Sequence, residues 1–369
     1  MKIGIKIFAA VNLNYGKDKE KEEKIMKKKV LSVLLASVMT VSVLAGCGSE
    51  AGTASGTGNG DSGAATTEAG SGASNDGQTY NIGICQLVEH PALDAATQGF
   101  KDALTEKLGD NVKFDEQNAQ GEQPNAVTIC NGFVSDNVDL ILANATSPLQ
   151  AAAAATTTIP VLGTSITDYA TALEISDWSG ATGRNISGTS DLAPIDEQEK
   201  ILLELYPSPK QVGLLYCSAE ANSLYQIELF EKALSADGVT SKRYSIADTN
   251  EIQAVVSTAA SECDVLYIPT DNTLANAAES VYSITGPAKV PVICGEEGIC
   301  AGCGVATLSI SYYDLGYKTG EMAYDILVNG ADVSTMAVAY APQVTKEYNK
   351  KIADELGITV PSDYVAIGE

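Results

Sequence analysis

The sequence is poor in the residues that carry most enzymatic and nucleic-acid chemistry. Its 369 residues include one histidine (His90) and one tryptophan, and aromatic residues make up 6% of the chain. Lysine and arginine number 23 against 47 acidic residues, which gives a formal net charge of −24. Nucleic-acid binding needs clustered basic side chains, so this charge argues against a nucleic-acid partner. A strong excess of one charge also favours a soluble monomer.

Catalytic and cofactor motifs are absent as well. A Ser–His–acid triad would have to use His90, and the chain has no Gly-x-Ser-x-Gly turn. No Gly-x-Gly-x-x-Gly loop lies between a predicted strand and a predicted helix, and there is no Walker sequence. We therefore expect neither enzyme activity nor a cofactor. A hydrolase with paired carboxylates stays open at this stage, because acidic residues are abundant.

The eight cysteines do not form a complete metal motif. Three of them resemble half a site, with a Cys-x-x-Cys pair and one cysteine upstream, but no fourth ligand is near. Structural zinc sites are almost always four-coordinate, so we expect no metal. Four others lie in apolar runs, where free cysteines are small buried hydrophobes. The first group is Cys294, Cys300 and Cys303, and the second is Cys85, Cys130, Cys217 and Cys263. A disulfide between Cys300 and Cys303 is an alternative to free thiols at these two positions.

The apolar run at residues 30–44 is too short to span a bilayer comfortably. Three lysines precede it, and it ends in Leu-Ala-Gly-Cys at Cys47, which matches a bacterial lipobox. We predict that residues 1–47 comprise an upstream extension and a lipoprotein signal peptide, with the true start at Met26 and a lipid on Cys47. A plain signal peptide is the alternative. Residues 48–78 are rich in Gly, Ser, Ala and Thr, which predicts a flexible tether.

From residue 79, apolar strands alternate with amphipathic helices, which predicts an α/β fold with parallel sheets. Residues 139–152 and 264–278 share one plan: an aspartate, an apolar strand, a polar turn and an Ala-rich helix. This echo predicts two doubly wound parallel-sheet lobes that face each other across a cleft. We expect residues 178–194 to be irregular and to carry the first crossing between the lobes.

Polar loops at the carboxyl ends of strands are the candidate ligand site, because open α/β sheets bind ligands there. Thr146 and Ser147 begin a helix, where backbone N–H groups bind carboxylates, although Ser147 can also be a simple helix cap. Asp191 and Asp271 suit an ammonium group, but Asp271 can equally cap the next helix. His90 either titrates as a pH switch or shapes the loop before Pro91.

Several segments around these loops resemble one known family. They are residues 88–94, 118–121, 189–191, 220–223, 269–273 and 312–317. Together they are similar to the solute-binding lipoproteins of ABC importers, in the subgroup with tryptophan- and tyrosine-binding members. The resemblance covers nearly all of residues 79–369 and implies a type I periplasmic-binding-protein fold with a three-segment hinge. One departure is the Cys- and Gly-rich segment 296–303.

The resemblance also implies domains, roles and partners. Lobe 1 would comprise residues 79–193 and 309–335, and lobe 2 residues 194–308 and 336–369. The ligand carboxylate would meet Thr146 and Ser147, and its ammonium Asp271 and Asp191. The remaining implied site residues are Glu220, Asn222 and Asn272 in a polar ring, and His90 and Pro91 beside the ligand side chain.

The expected partners are a small-molecule ligand, namely an aromatic amino acid, ABC permease subunits and the membrane, through the lipid on Cys47 at the extracytoplasmic face. The alternatives are a ligand sensor of the same fold, or an aliphatic amino acid, nucleoside or sugar as the solute. The aromatic residues that could stack on such a ligand are Trp178, Tyr225 and Tyr312.

Overall fold

A computed structural model describes residues 78–341 and 343–368 of the chain. Their strands form two sheets, of six and seven strands. We call the first sheet with its helices lobe 1 and the second sheet with its helices lobe 2. The predicted upstream extension, signal peptide, Cys47 and the tether up to residue 77 lie outside the described residues.

Lobe 1 contains strands from the first half of the body and one strand from near the end of the chain. The strands are β1 (Tyr80–Gln86), β2 (Val112–Asn118), β3 (Leu140–Asn144), β4 (Val161–Ile166), β5 (Ile186–Ser190) and β11 (Ala339–Tyr340). The helices are α1 (Pro91–Leu108), α2 (Gln123–Ser135), α3 (Thr146–Ala155), α4 (Tyr169–Ala172) and α11 (Tyr312–Leu327). All neighbouring strands run parallel in the order β11-β5-β4-β3-β1-β2.

Lobe 2 repeats this plan. Its strands are β6 (Val212–Cys217), β7 (Ser241–Ile246), β8 (Val265–Ile268), β9 (Val292–Cys294), β10 (Ala306–Ser309), β12 (Thr345–Tyr348) and β13 (Val365–Ala366). Its helices are α5 (Ile195–Leu205), α6 (Ala221–Ala236), α7 (Ile252–Glu262), α8 (Asn272–Asn276), α9 (Ala278–Ala288), α10 (Glu297–Cys303) and α12 (Lys350–Leu356). The strand order is β13-β12-β10-β9-β8-β6-β7, and only β12 runs antiparallel to its neighbour β10.

The two sheets confirm the predicted α/β fold with two lobes. Strand β3 lies beside β1 in lobe 1, and β8 lies beside β6 in lobe 2, so the two echoing segments occupy equivalent places. The next strands, β4 and β9, are equivalent too. Each sheet carries apolar clusters on both faces, as expected where helices cover a parallel sheet.

The prediction of irregular structure over residues 178–194 was wrong for β5. This strand has one apolar residue followed by Ser, Gly, Thr and Ser, so it lacks the apolar run that identified the other strands. It is nevertheless buried, because α11 covers it. The Thr189 and Thr319 hydroxyl oxygens lie 2.8 Å apart beneath that helix, so the polar side chains pair with each other instead of with water.

The chain crosses between the lobes three times: between β5 and α5, between β10 and α11, and between β11 and β12. The predicted boundary after residue 335 therefore needs correction. Strand β11 pairs in parallel with β5, so the chain stays in lobe 1 through Tyr340 and enters lobe 2 only afterwards. The second crossing falls after Ser309, the residue that the sequence analysis assigned to lobe 1.

Helices α1 and α11 pack together with their backbones in close approach. A Cβ atom added at Gly316 would lie 1.9 Å from the carbonyl oxygen of Ala96. One added at Gly99 would lie 2.1 Å from the carbonyl oxygen of Tyr313. These close backbone contacts fix the position of α11 on lobe 1.

All seven cysteines of the described residues are buried and free. This confirms buried positions for the four cysteines in apolar runs and shows no disulfide between Cys300 and Cys303. Among the described residues, no group of three or more His, Cys, Asp or Glu could hold a metal ion. None of the described helices is long and apolar enough to cross a membrane.

Candidate functional site

A small cavity of about 300 Å³ lies between the two lobes. Its walls come from the carboxyl ends of strands in both sheets and from the first two crossings, as the topology of open α/β sheets leads one to expect. Lobe 1 and the crossings contribute His90, Ala92, Leu93, Ser165, Thr167, Asp191 and Tyr312, and lobe 2 contributes Asn222, Thr270, Asp271, Asn272, Ala275 and Glu296.

Three buried carboxyl groups line this cavity, and no lysine or arginine does. Burial raises the pKa of Asp191, raises that of Glu296 to about 7 and raises that of Asp271 to about 8. A cationic group entering the cavity would stabilise the ionised forms, because an opposite charge favours the charged state of a carboxyl group. The site therefore suits an ammonium.

Two of these three carboxyl groups already accept hydrogen bonds from backbone N–H groups. Asp271 accepts hydrogen bonds from the N–H of Cys217 at 2.6 Å and from the N–H of Leu274 at 2.9 Å, and so caps α8. Glu296 caps α10 in the same way, through the N–H groups of Gly298 and Ile299. Both side chains hold helix ends at the cavity wall.

Asp191 is different, because only one of its two carboxylate oxygens accepts a hydrogen bond from the protein. The Tyr312 hydroxyl donates a hydrogen bond to Oδ2 at 2.9 Å. Among the described residues, no donor lies within hydrogen-bond distance of Oδ1, although the side chain is only 5% exposed and the Thr167 hydroxyl is near enough to offset part of the rise in the pKa of Asp191. Buried polar atoms are rarely left unpaired, so this oxygen is available to a donor that the chain itself does not supply. The bond from Tyr312 also joins the first crossing to the second.

Two further buried atoms at the cavity have no partner among the described residues: Nδ1 of His90 and the hydroxyl oxygen of Ser165. His90 is held by its other nitrogen, since Nε2 lies 3.2 Å from Oδ1 of Asn272 in the opposite lobe. Burial lowers the pKa of His90. The imidazole is therefore neutral, and a neutral imidazole can both donate and accept one hydrogen bond.

The lobes touch around the cavity. Besides the contact of His90 with Asn272, the hydroxyl oxygens of Thr167 and Thr270 lie 3.5 Å apart across the cleft. Gln226 reaches both threonines, with Nε2 at 2.5 Å from Thr270 Oγ1 and 3.5 Å from Thr167 Oγ1. These contacts close the cleft around the small cavity.

The family model described as ABC transporter substrate binding protein matches residues 81–367. The chain belongs to this family. A tyrosine-binding protein of Clostridioides difficile is 36% identical over 312 residues, which are 82% of this chain and 85% of that protein.

Two solved structures of family members bear on the lobe arrangement. An ABC domain in complex with L-Trp from Streptococcus pneumoniae is 34% identical, covers 77% of this chain and 97% of its own, and has a TM-score of 0.74. A ligand-free, open substrate-binding protein with adhesive properties from Clostridium difficile is 38% identical, covers 78% and 99%, and has a TM-score of 0.61. The present chain has the higher sequence identity to the open structure but the higher TM-score with the tryptophan complex. This difference agrees with the closed cleft of the present chain.

The structure brings together five of the nine site residues predicted from sequence. His90, Asp191, Asn222, Asp271 and Asn272 line the cavity. Pro91 lines two outer cavities on either side of it. Ser147 and Glu220 line a wider interlobe groove of about 1340 Å³, and Thr146 is buried without lining any of these spaces.

Eight cavity-lining residues were not among the predicted site residues: Ala92, Leu93, Ser165, Thr167, Thr270, Ala275, Glu296 and Tyr312. Ser165 lies in β4, Thr167 follows β4 and Glu296 follows β9, the strands after the echoing pair. The predicted site residues came from the segments after β1, β3, β5, β6 and β8, and none came from β4 or from the loops after β4 and β9. Tyr312 lay within a segment of the family resemblance but was considered only for aromatic stacking.

The raised carboxyl pKa values predict how the stability of the ligand-free protein depends on pH. A carboxyl group with a raised folded-state pKa keeps its proton while the unfolded chain loses one. The contribution of this group to the free energy of unfolding is therefore greatest below about pH 4 and is lost as the pH rises through the folded-state pKa. For Glu296 and Asp271 that loss extends to about pH 7 and about pH 8.

The lowered pKa of His90 has the opposite effect on stability, because the unfolded chain takes up the proton first as the pH falls. This effect is confined to pH values below about 6.5, the pKa of the histidine in the unfolded chain. We expect the melting temperature of the ligand-free protein to fall from pH 6.5 to pH 8, which calorimetric scans at constant ionic strength measure. The variant Glu296→Gln should show a shallower slope. A melting temperature that rises over this range would contradict the assignment.

Proposed function

We propose that this protein captures an aromatic amino acid in the interlobe cavity and delivers it to the permease of an ABC importer. The observation that carries the proposal is the unpartnered Oδ1 of Asp191, a buried carboxylate oxygen in a cavity without basic side chains. An α-ammonium group there would give Asp191 the charge-assisted hydrogen bond that it lacks.

The rest of the lining fits the remaining parts of an amino acid. The hydroxyl groups of Ser165 and Thr167 are donors for the α-carboxylate, and that of Ser165 has no other partner among the described residues. Ala92, Leu93 and Ala275 offer an apolar wall for the side chain.

The relatives support this choice of ligand. One is a tyrosine-binding protein and another was solved with L-Trp, at 36% and 34% identity. Of the originally predicted carboxylate contacts, Thr146 and Ser147 would give way to Ser165 and Thr167. For the ammonium, Asp191 takes precedence over Asp271, because both Asp271 oxygens already bind backbone N–H groups.

The proposal extends to location and partners. The lipobox ending at Cys47 supports a lipid anchor that holds a monomer at the extracytoplasmic face, next to permease subunits. Mass spectrometry of the mature N-terminal peptide tests the anchor: an unmodified Cys47 or a start before it would refute that part. Loss of ligand uptake on deletion of this protein would favour import over sensing.

A thermal-shift screen tests the ligand. Protein refolded to remove carried-over ligand should be stabilised by L-Tyr or L-Trp by about 2.7 kcal/mol at one hundred times the dissociation constant, which raises the melting temperature by several degrees. Sugars, nucleosides and aliphatic amino acids serve as comparison ligands. A shift with one of these alone would keep the binding function and refute the aromatic ligand.

A further inference from the structure

A chain of hydrogen bonds crosses the cleft from Glu220 through Asn272 to His90. The Glu220 carboxylate accepts five hydrogen bonds in lobe 2. They come from Nδ2 of Asn222 at 3.1 Å, from the N–H of Asn272 at 3.1 Å and its Nδ2 at 2.6 Å, and from the N–H and hydroxyl of Thr273, both at 2.8 Å. Asn272 then reaches His90 in lobe 1.

The direction of this chain follows from the chemistry of its first member. An ionised carboxylate only accepts hydrogen bonds, so Asn272 must turn its NH₂ group toward Glu220. Its carbonyl oxygen therefore faces His90 and accepts a hydrogen bond from Nε2–H. With the proton of the neutral ring on Nε2, Nδ1 carries a lone pair and is an acceptor.

This acceptor is buried and has nothing to accept from among the described residues. His90 is 7% exposed, and Ala92 and Leu93, which follow it at the start of α1, line the cavity with it. The groups that suit an amino acid backbone come from other segments of lobe 1, with Ser165 near the end of β4, Thr167 just after β4 and Asp191 just after β5. If these groups hold the ammonium and carboxylate of the ligand, the donor left for Nδ1 is an N–H or O–H of the ligand side chain.

We propose that Glu220, acting through Asn272, holds His90 in the Nε2–H tautomer, so that Nδ1 accepts a hydrogen bond from the ligand side chain and selects tyrosine or tryptophan over phenylalanine. His90 is the specificity-determining residue, and Glu220 and Asn272 are positioning residues. The inference rests on the proposed function, since it needs an aromatic amino acid as the ligand. A site with a buried hydrogen-bonding group rejects an analogue that leaves this group unpaired.

Titration calorimetry with L-Tyr, L-Trp and L-Phe tests the selection. The wild-type protein should bind L-Tyr or L-Trp roughly 10- to 100-fold more tightly than L-Phe. In His90→Phe, which keeps a planar ring without an acceptor, this ratio should fall to near 1. Equal wild-type affinities, or an unchanged ratio in the variant, would overturn the inference and leave the proposed function intact. Absence of binding by all three would refute the proposed function itself.

The tautomer can be measured directly, because His90 is the only histidine in the chain. Nitrogen-15 NMR of tag-free protein labelled at histidine should show a protonated Nε2 and an unprotonated Nδ1. In Glu220→Gln the side-chain amide can donate to Asn272 and turn it over, so the Nδ1–H tautomer should appear and the preference for L-Tyr should shrink. Glu220→Asp, which keeps the carboxylate, should restore the wild-type tautomer.

Glu279→Gln is the matched control. Glu279 is an exposed carboxylate of the same lobe that lines an outer cavity, and its substitution should change neither the tautomer nor the ligand preference. A wild-type protein with the proton on Nδ1 would overturn the inference even if Glu220→Gln failed to fold. So would a folded Glu220→Gln protein with the wild-type tautomer and ratio.

Discussion

Asp191→Asn is expected to weaken amino-acid binding by roughly 30-fold to several thousand-fold. Removing one member of a buried, hydrogen-bonded charge pair costs about 2–5 kcal/mol, and each 1.4 kcal/mol is tenfold in affinity. The asparagine keeps the shape of the side chain and can still bind the Tyr312 hydroxyl. It loses the negative charge and offers an NH₂ group that can face the ligand ammonium. Titration calorimetry with L-Tyr or L-Trp measures the change.

Asp168→Asn is a suitable comparison in the same lobe. Asp168 also follows a strand and caps a short helix through the N–H of Thr171, but it does not line the cavity. Its substitution should leave the affinity unchanged. If Asp191→Asn binds like the wild-type protein, the ammonium lies elsewhere. Asp271→Ala would then identify Asp271 as its partner if that variant lost affinity.

Gly316→Ala is expected to destabilise the protein by about 3 kcal/mol, although alanine is the better helix former. The new methyl group would have to occupy a point 1.9 Å from the carbonyl oxygen of Ala96. Both groups belong to rigid helices, α1 and α11, so the whole helix pair must separate and lose part of its packing. For a body of about 290 residues the melting temperature should fall by roughly 5 °C, measurable by calorimetry.

Gly132→Ala provides a control with the opposite sign. Gly132 lies in α2, is exposed and has no atom within 4 Å of the position that a Cβ would take. The same substitution there should stabilise the protein by about 1 kcal/mol, because alanine loses less conformational freedom in a helix. If both variants melted above the wild-type protein, the close approach of α1 and α11 would be refuted.

The architecture could be predicted from sequence because most of its strands are short apolar runs. Asp139 and Asp264 each precede such a run, and the two strands that follow them, β3 and β8, occupy equivalent places in the two sheets. Strand β5 escaped prediction because its burial depends on α11, a helix more than 120 residues further along the chain that covers its Ser and Thr side chains. Strand β11 was not predicted either, because it is only two residues long and its partner β5 is distant in the sequence.

The site was harder to predict because sequence does not show what a polar side chain is bonded to. Asp191 and Asp271 both follow buried strands, yet one oxygen of Asp191 is left open while Asp271 binds a backbone N–H contributed by Cys217, 54 residues away. Glu220 lay in a family-like segment and was expected in the polar ring. It instead orders Asn272 and Thr273 from outside the cavity.

The hydrogen bond between Tyr312 and Asp191 has a kinetic consequence, because it joins two of the crossings about which the lobes would rotate. Points near a rotation axis move least, so Asp191 would hold its position in an open protein and could receive the ammonium before the lobes meet. Asn272 reaches His90 only when lobe 2 arrives. Tyrosine and phenylalanine would therefore associate at similar rates and differ in how long they stay bound.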